Sequence, residues 1–189
     1  EQIGRLQKFF PTLPETFPHL LEEIKDIEYH KEIVEKIDKV FNRFGEVKSD
    51  ASSILKDLRT EIQHAKKAIQ DNFNRALTTY AEVLEDIRET ILDDQRGLAV
   101  KSGFKKRVPG RVLGISKTGS ITYIQPESVS KHQFKLRESE EEEKKEIDKI
   151  LRKLTAEIAI FAPELEEYQH YIFDLDTTRA KAKFAEKVG

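Results

Sequence analysis

The chain has 189 residues, no cysteine, and a formal net charge of −2. The lack of cysteine excludes a disulfide framework and a thiolate zinc site. No apolar run approaches the roughly 18 residues that would suggest a membrane span. Charged residues make up 36% of the chain and hydrophobic residues 38%, which favours extended helices over a dense globular core. We therefore expect a cytoplasmic protein that does not contact a membrane. Because the chain also has no methionine, we expect it to be excised from a longer protein.

Residues 1–48 are predicted to form two short helices. Pro11, Pro14 and Pro18 interrupt the first part. Apolar residues then recur at helical spacing over 20–27 and 33–41. Gly45 follows this second run, and its position is typical of a glycine that ends a helix. We interpret 1–48 as the first part of a helical core.

Residues 49–93 are predicted to form one long outgoing helix. Ser49 and Asp50 are candidate N-caps, and neither glycine nor proline occurs between Asp50 and Gln95. Apolar residues from Ala51 to Ile91 recur about every 3.6 residues, the period of a straight helix. A helix over 49–93 would be roughly 65 Å long, and therefore has to protrude from a compact domain.

Residues 94–127 differ from the sequence on either side. Short β-branched runs predict strands at 98–100, 111–115 and 121–124, and a tight hairpin at 117–120. The wider segment 96–135 holds nine Lys and Arg against a single acid, Glu127, for a net charge of +8. The rest of the chain therefore sums to −10. A small basic β element suits contact with a polyanion, because clustered cations release phosphate counterions on binding.

Residues 128–162 predict a returning helix, and Pro163 marks its end. The acids at Glu140–Glu143 are interpreted as a solvated helix face. Residues 163–189 predict a short amphipathic helix that completes the core begun by 1–48. The expected fold is mainly α with a small antiparallel β insertion. An elongated antiparallel pair of long helices would have a β-rich tip at one end and a helical core at its base.

The search for catalytic motifs is negative. Gly114 and Gly119 have the spacing of a phosphate-binding loop, but Ser120 stands where that loop needs lysine. Ser53-x-x-Lys56 and Lys117-Thr118-Gly119 imitate two motifs of penicillin-recognising enzymes, but the Ser-Asp-Asn motif of those enzymes does not accompany them. The five histidines are scattered without ligand spacing. We predict no catalytic, cofactor or metal site in this chain.

The candidate DNA-binding residues are cations at predicted strand ends and turns of the basic segment. They are Lys101, Lys105, Lys106, Arg107, Arg111 and Lys117. No aromatic stacking platform accompanies them, which favours duplex backbone over a single strand. An alternative stays open, in which residues 105–107 only keep a small sheet edge soluble.

The order of these segments resembles the middle region of MutS proteins, and most closely the second bacterial MutS subfamily, which lacks mismatch-reading domains. The resemblance is carried by a basic strand start at 96–101 and by a basic-turn-glycine step at 107–110. A Ser-x-Thr-Gly turn at 116–119 and an aromatic-Ile-x-Pro strand end at 123–126 follow. It covers essentially the whole chain.

This resemblance implies a core (1–48 and 163–189), two lever helices (49–93 and 128–162) and a clamp (94–127) that closes on double-stranded DNA. It also implies a DNA repair or recombination-control ATPase that uses ATP and Mg²⁺ in a domain outside this chain. The full-length protein would be a homodimer through that domain, and the fragment alone could be a monomer. Two alternatives remain open, a coiled-coil arm that binds a protein partner and an arm that contacts structured RNA or the ribosome.

Overall fold

The structure is a computed structural model that describes residues 1–93 and 95–188. It confirms a mainly α-helical fold with a small antiparallel sheet. The helices are α1 (Gln2–Phe9), α2 (Pro18–Lys25), α3 (Lys31–Val40), α4 (Ser53–Thr79), α5 (Glu127–Ala159) and α6 (Ala162–Val188). The strands are β1 (Leu84–Leu92), β2 (Gln95–Lys101), β3 (Gly110–Ile115) and β4 (Ile121–Pro126). The chain divides into two compact units, one of residues 52–147 and one formed by 1–51 with the residues from 148 onward.

The first long helix is shorter than the sequence predicts. Its N-cap is Ser52, whose Oγ accepts a hydrogen bond from the Leu55 N–H at 3.0 Å, so the prediction of Ser49 or Asp50 was wrong. The helix ends at Thr79 rather than near residue 93. Its length is therefore about 40 Å at the usual rise of 1.5 Å per residue.

Residues 84–92 form strand β1, although their apolar spacing continues the helical pattern. Val83 is buried, but Ile87 and Ile91 are 78% and 68% exposed, so the apparent helical stripe has nothing to pack against. Leu84 pairs with Val100, and residues 89–92 pair antiparallel with 95–98. Asp93, directly after the strand, has a φ of +47°, which aspartate tolerates better than most residues. Strand pairing here overrides a weak helical propensity.

The sheet has four strands instead of the predicted three, in the order β1-β2-β4-β3, and every neighbouring pair is antiparallel. One side of it packs on helices. Leu98, Val100 and Ile124 form a core there with Phe73 of α4 and Val129 of α5. The hairpin between β3 and β4 is confirmed, since the Gly119 N–H donates to the Ser116 carbonyl at 2.9 Å and Gly119 has a φ of +74°.

The connection between β2 and β3, residues 102–109, crosses the helix-facing side of the sheet. Val108 is 3% exposed and belongs to the same core as Leu98 and Ile124. At the start of the connection the Ser102 N–H donates to the Ser120 carbonyl at 2.8 Å, and at its end the Pro109 carbonyl accepts from the Glu127 N–H at 3.0 Å. Both ends of the connection are therefore fixed to neighbouring elements.

Helices α4 and α5 pack antiparallel within the unit of residues 52–147. Ile62 and Ala65 of α4 cluster with Leu136 of α5. Three ion pairs flank this contact. They are Arg59–Glu143 at 2.7 Å, Lys66–Glu140 at 3.5 Å and Lys135–Glu61 at 3.1 Å. The interpretation of Glu140–Glu143 as a solvated face was thus wrong for its first and last members, which link the two helices.

The second unit has three helices in its first part, where two were predicted. Ile3, Phe10, Ile24 and Ile27 form its core together with Tyr171 of α6. The Tyr168 hydroxyl, also on α6, accepts from the His30 N–H at 3.0 Å. Residues from both ends of the chain therefore share this core.

Two details of the second unit correct the sequence analysis. Helix α3 ends at Val40, so Gly45 does not end it. Gly45 has a φ of +78° and lies in the turn that closes the Phe41–Val47 bridge. The last helix is long rather than short, because Pro163 falls in the first turn of α6. A proline is tolerated there, since the first N–H groups of a helix have no partner within it.

Replacing Gly110 by Ala is expected to destabilise the sheet unit. A Cβ at this position would lie 2.1 Å from the Gln125 carbonyl oxygen on the paired strand, so the backbone has to shift. We expect a loss of roughly 1–3 kcal/mol in the free energy of unfolding, measured with urea. Gly103→Ala is the matched control, because a Cβ at Gly103 meets nothing within 4 Å. Equal losses from both variants would contradict the packing at Gly110.

A hydrogen bond from Lys135, together with its charge, holds the pKa of Glu61 below the ordinary value of 4.5. This pair therefore stabilises the fold above pH 4.5, and the contribution is lost as the pH falls through the lowered pKa of Glu61 in the folded state. In Lys135→Met, an NMR titration of the carboxyl carbon should show the pKa of Glu61 rising towards 4.5. Lys144→Met, an exposed neighbour on α5, is the control. A rise of the same size in that variant would contradict the assignment.

Candidate nucleic-acid interface

Two of the nine cations in the basic segment make contacts that stabilise the fold. The Arg96 guanidinium lies 4.1 Å from the centre of the Phe73 ring, donates to Gln70 Oε1 at 2.7 Å and pairs with Glu89. Lys135 pairs with Glu61 on α4 and with Glu138 on its own helix. Both cations already have acidic partners, so they contribute little to an anion-binding surface.

The six predicted site residues differ from Arg96 and Lys135 in having no acidic partner among the described residues. Lys101 ends β2, Arg111 lies in β3, Lys117 lies in the hairpin, and residues 105–107 belong to a short 3-10 turn in the β2–β3 connection. All six side chains are exposed. None of them forms an ion pair with any residue that the structure describes. Their charge is therefore available to an external anion.

Lys101 and Lys117 lie at the same end of the sheet. Lys101 pairs with Ile121, and the Ile121 carbonyl accepts a hydrogen bond from the Ser116 N–H at 2.9 Å. Lys117 directly follows Ser116. A cation at a strand end and a cation in the hairpin turn are thus brought together at this end of the sheet.

The other cations are distributed around the sheet. Alternation along the strands places Lys101 and Arg111 on the side that faces away from the helices. Arg111 pairs with Gln125, four residues and about 13 Å from the hairpin end of β3. Residues 105–107 instead precede Val108, which enters the core on the helix-facing side. The six residues therefore form a discontinuous basic surface that curves around the sheet.

The side of the sheet that faces away from the helices is curled. A Cβ at Gly114 of β3 would lie 3.4 Å from Leu92 Cδ1 of β1, although these are the two edge strands. In a flat sheet, three strand spacings would separate them by about 14 Å. Leu113, at an irregularity in the β3–β4 register, lies over Gly97 in the same way. The apolar side chains on this side thus cover one another, while Lys101 and Arg111 stay exposed.

Lys131 belongs to the same surface, although it was not among the predicted site residues. It is exposed, and within the described ranges it has no acidic partner. It lines a small cavity with Tyr80, Pro109 and Pro126, which places it beside the end of the β2–β3 connection. Lys131 is one of the nine cations of the basic segment, but it falls in the predicted returning helix and was therefore not predicted as a site residue. Its proximity to Pro109 depends on tertiary packing.

Arg96→Ala is expected to destabilise the fold by about 1–2 kcal/mol, because it removes the contact with the Phe73 ring and the hydrogen bond to Gln70. Arg111→Ala is the matched control, since Arg111 is exposed and lies in the same sheet. Urea denaturation should give a change within about 0.5 kcal/mol for this control. If Arg111→Ala lowered the free energy of unfolding as much as Arg96→Ala, the division between structural and available cations would be wrong.

Across residues 1–93 and 95–188, no helix is both long enough and apolar enough to cross a membrane. The same residues contain no group of three or more His, Asp or Glu side chains placed to hold a metal ion.

No protein-family model matches the chain. It is, however, similar to curated proteins named Endonuclease MutS2. It is 28% identical to that of a Geobacillus species and 29% identical to that of Carboxydothermus hydrogenoformans, in each case over 97% of this chain. Identity to the Clostridium kluyveri protein is 32% over 80% of the chain. The chain spans a quarter or less of the length of these relatives. The resemblance to the second bacterial MutS subfamily is therefore confirmed, and the chain is homologous to a part of its MutS2 proteins.

Proposed function

We propose that this chain binds the backbone of double-stranded DNA through the basic surface of its sheet unit, as part of a MutS-like DNA repair or recombination-control ATPase. One observation carries the proposal. Cations that stabilise the fold, such as Arg96 and Lys135, have acidic partners, whereas the exposed cations around the sheet have none in the described structure. In this proposal α4 and α5 act as the lever pair and the sheet as the clamp.

The expected contact is with phosphates rather than bases. The exposed cations are mostly lysines on turns and strand ends, and lysine binds phosphate as a flexible point charge. Among the described residues, no helix carries the set across the sheet, so the surface lacks a recognition helix that could read base edges in a major groove. Binding would therefore depend weakly on base sequence and strongly on salt.

Acidic residues on α5 would limit where DNA lies. Glu141 and Glu142 are exposed on this helix, farther along the chain than the sheet contact at Val129. Their charge repels phosphate. DNA should thus be confined to the sheet end of the unit.

We further propose that this chain neither binds nor hydrolyses ATP. The Gly119 N–H is already donated to the Ser116 carbonyl within the hairpin, and Ser120 replaces the lysine that a phosphate-binding loop requires. ATP and Mg²⁺ would act in a domain outside this chain. Such a protein would work in the cytoplasm, where DNA and ATP are both accessible in bacteria.

The test is the salt dependence of duplex binding. If three to five cations contact phosphates, the slope of log affinity against log salt should be about −3 to −4.5. Replacing Lys105, Lys106 and Arg107 by Ala should flatten this slope by roughly two to three units, with the same effect on every sequence. Fluorescence anisotropy with labelled duplexes of two unrelated sequences measures both quantities.

The matched control replaces three exposed cations of α4, namely Lys56, Lys67 and Arg75. Lys66 is left unchanged because it pairs with Glu140. The control should retain most of the slope. Equal weakening by the two triple variants would show that the residues at 105–107 only keep the sheet soluble. Tighter binding to double-stranded RNA of the same length would favour the alternative that the arm contacts RNA.

A further inference from the structure

Helix α6 has two apolar faces, and the structure covers one of them. Tyr168, Tyr171, Ile172 and Leu175 belong to the core formed with α1 and α2. Phe173 and Phe184 lie on another face, and both are 68% exposed. Since each residue of an α-helix turns by about 100°, these two phenylalanines point almost directly away from the core contact.

The exposed face is a regular stripe. Thr177 and Ala180 lie between the two phenylalanines, so the spacing along the stripe is four, three and four residues. This is the alternation of the a and d positions of a coiled coil, with Phe173 and Ala180 at d and Thr177 and Phe184 at a. Phe173, Thr177 and Ala180 are also among the residues that line an apolar groove along α6. The stripe therefore has the form of a helix-binding surface.

Charge divides the helix into two halves. Residues 162–178 contain five acids and neither Lys nor Arg, whereas 179–188 contain four Lys or Arg and one acid. Beside the stripe, Asp174 and Lys181 occupy the e position of the heptad, and Asp176 and Lys183 occupy the g position. All four are exposed. Asp176 lies 3.8 Å from Arg179 within the same helix, which leaves most of its carboxylate accessible.

We propose that this stripe pairs antiparallel with the same stripe of a second copy of the chain, forming a symmetric dimer. In this register Phe173 lies opposite Phe184 of the second copy, and Thr177 lies opposite Ala180. The two-fold axis passes between residues 178 and 179. Each contact then occurs twice, as an isologous interface requires.

The same register places opposite charges next to each other on both flanks of the stripe. In an antiparallel pair, equal heptad positions face each other, because one helix is turned end for end. Asp174 therefore faces Lys181 of the second copy on one flank, and Asp176 faces Lys183 on the other. Symmetry doubles these to four ion pairs. A parallel arrangement would instead set the acidic half of α6 against the acidic half of the other copy.

This interface lies on α6, and so differs from dimerisation through an ATPase domain. It does not depend on DNA binding either. Sedimentation equilibrium of the 189-residue chain should show a monomer–dimer equilibrium. Phe184→Asp should weaken the dimer by at least about 100-fold, because the residue is lost from both ends of the interface. Phe44→Asp is the matched control, since Phe44 is 71% exposed and lies outside the stripe. Circular dichroism should show the same helix content for both variants.

Charge reversal provides a rescue experiment. In the variant with Asp174→Lys and Asp176→Lys, every flank contact of a homodimer sets lysine against lysine and is repulsive. In the variant with Lys181→Asp and Lys183→Asp, every flank contact sets aspartate against aspartate and is repulsive too. Each alone should dimerise about tenfold or more weakly than the original chain. An equimolar mixture restores four opposite-charge contacts, and should form a heterodimer of near-original affinity.

The chain's lack of cysteine allows the orientation to be tested directly. A mixture of Asp174→Cys and Lys181→Cys chains should form a disulfide-linked heterodimer under mild oxidation, while each variant alone should cross-link poorly. A chain that stays monomeric at all concentrations would overturn the proposal, as would failure of the charge-reversed mixture to associate. Equal loss of dimer in Phe44→Asp and Phe184→Asp would overturn it as well.

Discussion

The contact between Phe73 and the helix-facing side of the sheet is the constraint on which the basic surface depends. A four-stranded sheet this small has to bury one side against another element to be stable. Phe73 is fully buried against Leu98, Val100 and Ile124. Arg96 covers the edge of this contact with its guanidinium over the ring. The packing thus fixes the sheet on α4 and also makes Arg96 unavailable for binding.

The remaining electrostatics follow from that arrangement. Along α4 and α5, cations and acids pair across the helix contact, as in Arg59–Glu143 and Lys66–Glu140. Around the sheet, the connection at 102–109 has to cross the core to reach β3, and Val108 fixes it there. The cations before Val108 are then held outward on a short turn. Several helix charges are therefore paired with one another, whereas the six cations of the predicted site stay available around the sheet.

The sequence was most informative where local chemistry determines structure. The hairpin at 117–120 was predictable because Gly119 allows the backbone to turn, and the exposed lysines were predictable because they lie in turns or at strand ends. Strand β1 was missed because Ile87 and Ile91 repeat the helical period of α4, so that only the aspartates after Leu92 signalled a turn. The division of the cations between the two sides of the sheet could not be predicted either. It depends on the burial of Val108 and on the neighbourhood of Lys131, which are both set by tertiary packing.

The central claim is that the cations without acidic partners around the sheet are the ones that meet phosphate. Lysine footprinting with a small amine-reactive reagent, read by mass spectrometry with and without a duplex, tests it most directly. Bound DNA should protect Lys101, Lys105, Lys106 and Lys117, and leave Lys56 and Lys67 of α4 as reactive as before. Uniform protection of all lysines, or protection confined to the helices, would contradict the account.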